Sequence, residues 1–209
     1  PFDTMEKYFS PELAASSELY LSTPHIHRGE IPEKWLRSAQ KWLEQGMKGF
    51  LVRNLESYAV LKKMGYGEKC ILDASMYTWN DQSVDFWREE GVLRNTVPLE
   101  LNEGELKHRD NTSSELLLYG YIPLMLSAQC VRKNLFGCTG KYETAYLKDR
   151  YNSEFQVKKL NLHSLRLAFT IEEPEKAKAI LKEFRTVYQE NGKPSGRRYT
   201  KGHFKRGAE

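Results

Sequence analysis

The chain has 209 residues, of which 40% are hydrophobic and 29% charged, and its formal net charge is +4. This balance is typical of a folded globular protein, and no apolar run approaches the ~20 residues that a membrane-spanning helix needs. The first residues lack the basic and apolar regions of a signal peptide, and three cysteines are too few for a disulfide scaffold. We therefore expect a cytoplasmic protein that does not contact a membrane and, because the chain begins with Pro1, a piece of a longer protein.

Short apolar runs alternate with helical patterns as far as residue 120. Segment 1–18 is polar and turn-rich, which predicts an irregular connection. Strands are predicted at Leu19–Leu21, Phe50–Val52, Ile71–Leu72, Val97–Leu101 and Leu116–Tyr119. The spacing of apolar residues predicts helices from Pro32 to Gly46, from Tyr58 to Gly65 and from Val84 to Gly91, and a short helix from Glu105 to Asp110.

This repeat of strand and helix has a period of roughly 22–30 residues, which is typical of parallel βαβ units. A TIM-type barrel needs eight such units, and the chain holds about five. After Cys138 the pattern changes to a hairpin near Tyr146–Val157, a further strand and a helix. We therefore predict an α/β protein with a partial (β/α) barrel, or an open sheet built in the same way, over residues 1–140, which has the cysteine loop at its end. A small α+β segment with a basic tail follows over residues 141–209.

Polar side chains follow each predicted strand. They are Arg53, Asn54 and Glu56 after the second strand, Asp73 after the third, Glu100 in the fourth, and Gln129 and Cys130 after the fifth. Right-handed crossovers place the carboxyl ends of parallel strands at one edge, so we expect these residues to cluster there as a site. Asp73 and Glu100 could act as acid and base, whereas the residues interpreted as substrate-binding are Arg53, Asn54, Glu56 and Gln129. Alternatively, Glu100 forms a salt bridge to a strand-end arginine such as Arg53.

Aromatic and histidine side chains lie near the same strand ends. Tyr77 and Trp79 could stack on a nucleobase, or they could pack as a lid over the edge of the sheet. His25 and His27 would point to the same side if they lay in a strand, and otherwise they are polar loop residues.

The three cysteines allow several kinds of site. Cys70 begins a predicted strand and is interpreted as a core residue, which leaves Cys130 and Cys138. An iron–sulfur cluster normally needs four thiolates, so no complete cluster is expected on this chain. The two thiolates with His163 or His203 could bind a zinc-like ion, and Cys130 with His203 could form a nucleophilic pair. The sequence contains no G-x-S-x-G or H-E-x-x-H motif.

The segment from Lys193 to Arg206 is basic and contains no acidic residue. Its candidate substrate-binding residues are Arg197, Arg198, Tyr199 and Arg206. Cations interleaved with aromatic rings suit a nucleic-acid strand, because cations hold phosphates and rings stack on bases. The alternative is a solvated basic tail.

Several stretches together resemble peptidase family U-32, the collagenase-like proteins, and most of all the long members of Firmicutes. The stretches are Gly49–Glu56, Val97–Leu106, Glu115–Cys130, Tyr146–Lys159, Leu165–Thr170 and Tyr199–Glu209. The resemblance covers Leu19–Glu209, and Thr200–Gly207 is its most specific part. It implies a TIM-like barrel of which this chain is the carboxy-terminal half, so that the amino-terminal half would be a partner.

The same resemblance implies two activities. Some members of the family are named as collagen-degrading peptidases, and others take part in hydroxylating bases of transfer or ribosomal RNA or a quinone precursor. Several hold an iron–sulfur cluster on four cysteines; Cys130 and Cys138 match the first two positions, and the later positions have no match here. We expect RNA base hydroxylation by the full-length protein. The alternatives are a peptidase that degrades collagen-like or other peptides and a half-barrel that only binds.

Overall fold

The computed structural model describes residues 2–27, 30–117, 119–120, 126, 145–148, 150–152, 154–157, 167–168 and 173–189. The chain divides into two compact units, one made of Pro1–Tyr121 with His163–Glu209 and the other of Ile122–Leu162. None of the described helices is long and apolar enough to cross a membrane. The boundary at residue 140 between a barrel and a terminal segment stays a prediction.

The first unit is built on a five-stranded parallel sheet in the order β1 to β5. Its strands are β1 (Tyr20–Ser22), β2 (Gly49–Val52), β3 (Cys70–Leu72), β4 (Arg94–Thr96) and β5 (Ser114–Glu115). The helices are α1 (Phe2–Tyr8), α2 (Pro11–Ser16), α3 (Glu33–Glu44), α4 (Leu55–Lys63), α5 (Asp81–Glu89), α6 (Glu103–Lys107) and α7 (Pro174–Gln189). Short 3₁₀ turns lie at Gly67–Lys69 and Ala74–Met76. The predicted α/β class with parallel strands is confirmed.

Two smaller strand pairs complete the described chain. In the first unit, β6 (Tyr119–Gly120) pairs in parallel with β9 (Leu167–Ala168). In the second unit, β7 (Ala145–Lys148) and β8 (Glu154–Val157) form an antiparallel hairpin, with Leu147 opposite Phe155. The predicted hairpin is therefore confirmed.

One face of the large sheet packs against α3, α4 and α5. Because side chains alternate along a strand, paired positions in neighbouring strands share a face. Leu21, Phe50 and Cys70 form one such row, and Val52 and Leu72 form the next. These residues contact Trp42 of α3, Tyr58 and Leu61 of α4, and Trp87 of α5 in one buried cluster. This cluster is the core of the first unit.

The opposite face carries a polar network near the amino-terminal end of the strands. Arg94 of β4 donates hydrogen bonds to Tyr20 Oη of β1 (2.9 Å) and to Glu115 Oε1 of β5 (2.7 Å). Two strands separate β1 from β4, so side chains standing on a flat sheet would be about 14 Å apart. The contact between Arg94 and Tyr20 therefore indicates that the sheet curves toward this face.

Three of the sequence predictions are wrong in detail. Segment 1–18 is not irregular, because Ser10 caps α2 by accepting the Leu13 N–H, and Met5 and Phe9 pack on the core. The fourth strand is Arg94–Thr96, and Val97–Leu101 is a loop. The fifth strand is Ser114–Glu115, while Tyr119 and Gly120 pair elsewhere. The physical reason is that Val97 and Leu101 are buried as loop residues, at 4% and 6% exposure, so their apolar character marks burial and not strand pairing.

Gly49, the first residue of β2, has no room for a side chain. A Cβ there would lie 1.9 Å from the Lys69 carbonyl oxygen. We expect Gly49→Ala to lower the free energy of unfolding by about 3 kcal/mol, because the backbones of β2 and the preceding turn of β3 must separate. Urea unfolding followed by circular dichroism measures the loss.

The matched control is Gly67→Ala, where an added Cβ meets no atom nearer than 3.8 Å. We expect that variant to unfold near the wild-type midpoint. Equal losses in the two variants would show that the close approach at Gly49 does not constrain the fold.

Candidate functional site

An ion pair joins the carboxyl ends of β2 and β3. Arg53 follows β2 directly, Asp73 follows β3 directly, and Val52 pairs with Leu72 in register, so the next two residues lie side by side. Arg53 Nε donates to Asp73 Oδ2 at 2.7 Å, and the Arg53 side chain is only 8% exposed. The other carboxylate oxygen accepts the Ala74 N–H at 2.8 Å. Asp73 therefore neutralises a buried cation with both of its oxygens engaged.

The backbone of Arg53 is held from both neighbouring strands. Its N–H donates to Thr23 Oγ1 after β1 (3.0 Å), and its carbonyl accepts from Ser75 Oγ after β3 (3.0 Å). Asn54 caps α4 by accepting the Ser57 N–H (2.8 Å) and donates to the Pro24 carbonyl (2.7 Å). The carboxyl ends of β1, β2 and β3 are thus joined by hydrogen bonds into one rigid edge.

His25 lies in the loop after β1, where the charges of Arg53 and Asp73 both affect its pKa. Burial lowers the pKa of His25, and the positive charge of Arg53 lowers it further, while the carboxylate of Asp73 partly opposes both effects. The imidazole is therefore held neutral at a pH where an exposed histidine would begin to take a proton.

Two exposed aromatic rings project from the loop between β3 and α5. Tyr77 and Trp79 are 53% and 44% exposed, and their rings lie within 5° of parallel with centroids 6.2 Å apart. Thr78 between them is only 1% exposed and points inward. Tyr77 has a left-handed backbone conformation, with φ of 52°, which turns its side chain outward beside Trp79. We call Tyr77 and Trp79 the aromatic pair.

A buried polar cluster anchors this loop through Thr78. Asn95 Oδ1 on β4 accepts from Thr78 Oγ1 (3.2 Å), Arg109 Nη2 (2.7 Å) and Ser114 Oγ (3.0 Å). Arg109 is 7% exposed, and burial lowers its pKa while Asp81 and Asp110 oppose that effect. In the described part of the chain the guanidinium forms no salt bridge, and its Nε lacks a hydrogen-bond partner. The Arg109 cation is held by neutral oxygens, so each of these hydrogen bonds contributes to stabilising the buried charge.

The structure brings Arg53, Asn54 and Asp73 together at the predicted edge. Glu56 is exposed in the first turn of α4, where it complements the helix dipole. Glu100 lies in a turn beyond β4. The alternative salt bridge between Glu100 and Arg53 is wrong, because Arg53 pairs with Asp73. His25 lies in a bend after β1 and His27 in the irregular backbone that follows, so neither is in a strand.

The remaining predicted site residues lie outside the described residues. They are Gln129, Cys130, Cys138, His163, Arg197, Arg198, Tyr199, His203 and Arg206. Cys70 is a core residue as predicted: it is 3% exposed, and burial raises the pKa of its thiol to about 12. Within the described ranges no group of three His, Cys, Asp or Glu side chains is placed to hold a metal ion. A thiol with such a raised pKa is not a thiolate ligand or nucleophile at neutral pH.

Sequence reasoning missed the buried cluster around Arg109 and Asn95. One signal in the sequence could have indicated this cluster: the strand Arg94–Thr96 is polar and so is the strand that pairs with it. A polar residue on the face of a sheet that helices cover needs a buried hydrogen-bond partner. No protein-family profile, no curated protein and no solved structure matches this chain. Its function must therefore be argued from the geometry of its own residues.

We expect Thr78→Val to lower the free energy of unfolding by about 2 kcal/mol. The valine keeps the shape of threonine but removes one donor to Asn95 and one acceptor of Arg109, and both partners stay buried. Thr78→Ser keeps the hydroxyl and is the control, which should lose much less. Thermal and urea unfolding compare the three proteins, and equal destabilisation by Val and Ser would contradict a role for the hydroxyl.

The lowered pKa of His25 predicts a pH dependence of stability. Below the ordinary histidine pKa of about 6.5 the unfolded chain binds a proton that folded His25 resists, so acid favours unfolding. The free energy of unfolding should therefore fall from pH 7.5 to pH 5.5, and His25→Gln should remove part of that fall. Asp73→Asn should steepen it, because Asp73 raises the pKa of His25. Urea midpoints at both pH values test this, and an unchanged slope in His25→Gln would contradict it.

Proposed function

We propose that this chain is the RNA-binding part of a protein of the U-32 type that modifies bases of RNA. The observation that carries the proposal is the aromatic pair. Two exposed, nearly parallel rings stand at the carboxyl end of the sheet, on a loop fixed at both ends by buried interactions. Aromatic side chains stack on bases whatever the base, and each such contact contributes about 1–3 kcal/mol.

Rigidity of the loop favours this role. Asp73 at its start is paired with Arg53, and Thr78 is hydrogen-bonded to Asn95, so the rings of the aromatic pair are already ordered before a partner arrives. Pre-ordered side chains lose little conformational entropy on binding. If the aromatic pair served only as a lid, its rings would be expected to be covered, whereas about half of each ring residue is exposed.

Phosphate contacts would come from the basic tail. Arg53 is already committed to Asp73, so it adds little net positive charge at the edge of the sheet. The segment Lys193–Arg206 carries cations without acidic residues, and Arg197, Arg198 and Arg206 are the residues we assign to phosphates, with Tyr199 as a further stacking ring. The aromatic pair would then bind bases while the tail holds the backbone.

A longer barrel is part of the same proposal. The sheet curves, as the contact between Arg94 and Tyr20 indicates, and a curved parallel sheet with helices on its outer face is the geometry of a (β/α) barrel. We propose that the amino-terminal half of the barrel closes it. An iron–sulfur cluster does not fit this chain alone, because it needs four thiolates and Cys70 is buried with a raised pKa. We therefore assign RNA binding, and not the hydroxylation step, to the residues of this chain.

The peptidase alternative lacks an activated nucleophile among the described residues. Ser75 Oγ donates to the Arg53 carbonyl, and no histidine accepts its proton. A pair of Cys130 with His203 is the remaining candidate and lies outside the described residues. Peptidase chemistry would need such a thiolate–imidazolium pair.

Binding of a short single-stranded RNA, followed by fluorescence anisotropy at several salt concentrations, tests the proposal. We expect Tyr77→Ala and Trp79→Ala each to weaken binding by roughly tenfold, since one stacked base is lost. Phe86→Ala is the matched control, because Phe86 on α5 is 54% exposed, as Tyr77 is, and lies outside the aromatic pair. It should bind RNA as the wild type does.

The tail is tested by its salt dependence. The triple variant Arg197→Ala/Arg198→Ala/Arg206→Ala should flatten the slope of log affinity against log salt by about 2, because each lost phosphate contact removes about 0.7. Absence of RNA binding at low salt would overturn the proposal. Gelatin cleavage by the full-length protein that is lost on Cys130→Ala would establish the peptidase instead.

A further inference from the structure

A cavity of about 270 Å³ lies on the helix-covered side of the first unit. Its described wall is formed by Trp35 of α3, by Ser57 and Leu61 of α4, and by residues between β1 and α3, which are Thr23, Pro24, Ile26, His27, Glu30, Ile31 and Pro32. This volume lies just below the ~300 Å³ at which pockets for drug-sized ligands begin, which limits the ligand to a small molecule of roughly a dozen non-hydrogen atoms. It is separate from the aromatic pair, which lies after β3.

Most of this wall is apolar. Ile26, Ile31, Pro32, Trp35 and Leu61 line the cavity. The ring of Trp35 lies 6.4 Å from that of Phe50, with 29° between the planes, so the indole is fixed against the core. A rigid, mostly apolar wall of this kind favours a compact ring system over a flexible polar ligand.

Two polar atoms in the same wall have no hydrogen-bond partner in the structure. They are Ser57 Oγ and His27 Nδ1, and both are covered by neighbouring atoms. Ser57 as a whole is only 1% exposed. Buried polar groups in native proteins are nearly always paired, so these two atoms in one cavity wall point to a partner that the described residues do not supply.

The charge of the described wall is negative. Glu30 is its one carboxylate, and no lysine or arginine side chain is among the described residues that line the cavity. Glu30 is exposed and has no ion pair with another described residue. A ligand with a cationic end would place that end near Glu30, and the face of Trp35 would attract a cation as well.

From these observations we propose that the cavity binds a small aromatic amine. The ring would lie among Ile31, Trp35 and Leu61, a hydrogen-bonding group would meet Ser57 or His27, and the ammonium group would lie near Glu30. The proposal does not depend on RNA binding, because the aromatic pair and the basic tail take no part in it.

Three probes with the same indole ring and different side-chain charge test the proposal: tryptamine, the neutral tryptophol and the anionic indole-3-acetate. Titration of the full chain by calorimetry or NMR at low salt gives their affinities. We expect tryptamine to bind about threefold more tightly than tryptophol and about tenfold more tightly than indole-3-acetate, as an exposed charge contact allows. NMR shifts should concentrate at Ile26, Ile31 and the indole N–H of Trp35.

Variants test the contribution of the Glu30 charge and the contribution of the cavity separately. Glu30→Gln should remove the preference for tryptamine over tryptophol and keep binding of both, whereas Glu44→Gln, at the far end of α3, should change neither. Ile31→Trp should fill the cavity and abolish binding of all three probes. Ser57→Ala should weaken tryptophol a few-fold, because one hydrogen bond is lost.

Several results would overturn the proposal. They are no binding of any probe at about 1 mM, tightest binding of indole-3-acetate, or shifts confined to residues outside the cavity. Unchanged binding in an Ile31→Trp variant that gives a wild-type circular dichroism spectrum would do the same.

Discussion

The buried guanidinium of Arg53 constrains the whole carboxyl edge of the sheet. A cation with only 8% of its side chain exposed must be neutralised, and Asp73 can do so only if β2 and β3 keep the register that places Val52 beside Leu72. The register is set mainly by the pattern of buried side chains, and the ion pair at the strand ends adds a further constraint on it. The same pair fixes the first residue of the loop that carries the aromatic pair.

A second buried cation, Arg109, is held in a different way. Asn95, Asn111 and Thr78 accept its hydrogen bonds, and none of them carries a charge. A neutral shell avoids the desolvation of a carboxylate, but burial still lowers the pKa of Arg109, and the charges of Asp81 and Asp110 oppose that effect only in part. The two arginines thus hold the loop between β3 and α5 at two points. Arg53 forms an ion pair with Asp73, and Arg109 donates a hydrogen bond to the neutral hydroxyl of Thr78.

The sequence predicted the first three strands well because each is buried on both faces and reads as an apolar run. It placed the fourth and fifth strands wrongly because Asn95 and Ser114 face the helices as part of a polar cluster, while Val97 and Leu101 are apolar and lie in a turn. In β4 the buried residues Asn95 and Thr96 are polar, whereas the apolar residues that the pattern detects, Val97 and Leu101, are buried in the loop that follows.

The candidate site, like the sheet, was predictable from the sequence only in part. The rule that parallel strands end at one edge brought Arg53, Asn54 and Asp73 together correctly. The choice of partner was not predictable, because Glu100 and Asp73 are both carboxylates near strand ends and only the register β2–β3 decides between them. The role of Thr78 was also hidden, since an inward threonine between two outward rings depends on the left-handed turn at Tyr77. Local sequence does not specify such a turn at a tyrosine.

The polar groups of the first unit differ in whether they are already hydrogen-bonded within the chain. At the edge of β1, β2 and β3 nearly every hydrogen-bonding group named above is engaged by another part of the chain, which makes the edge rigid and chemically quiet. What remains available there is aromatic surface, at Tyr77 and Trp79, and on the helix side a cavity with unpaired Ser57 and His27. The aromatic pair and the cavity are the two surfaces on which the proposals above rest. The function proposed above therefore uses the aromatic surface, because most polar groups at this edge are already paired within the chain.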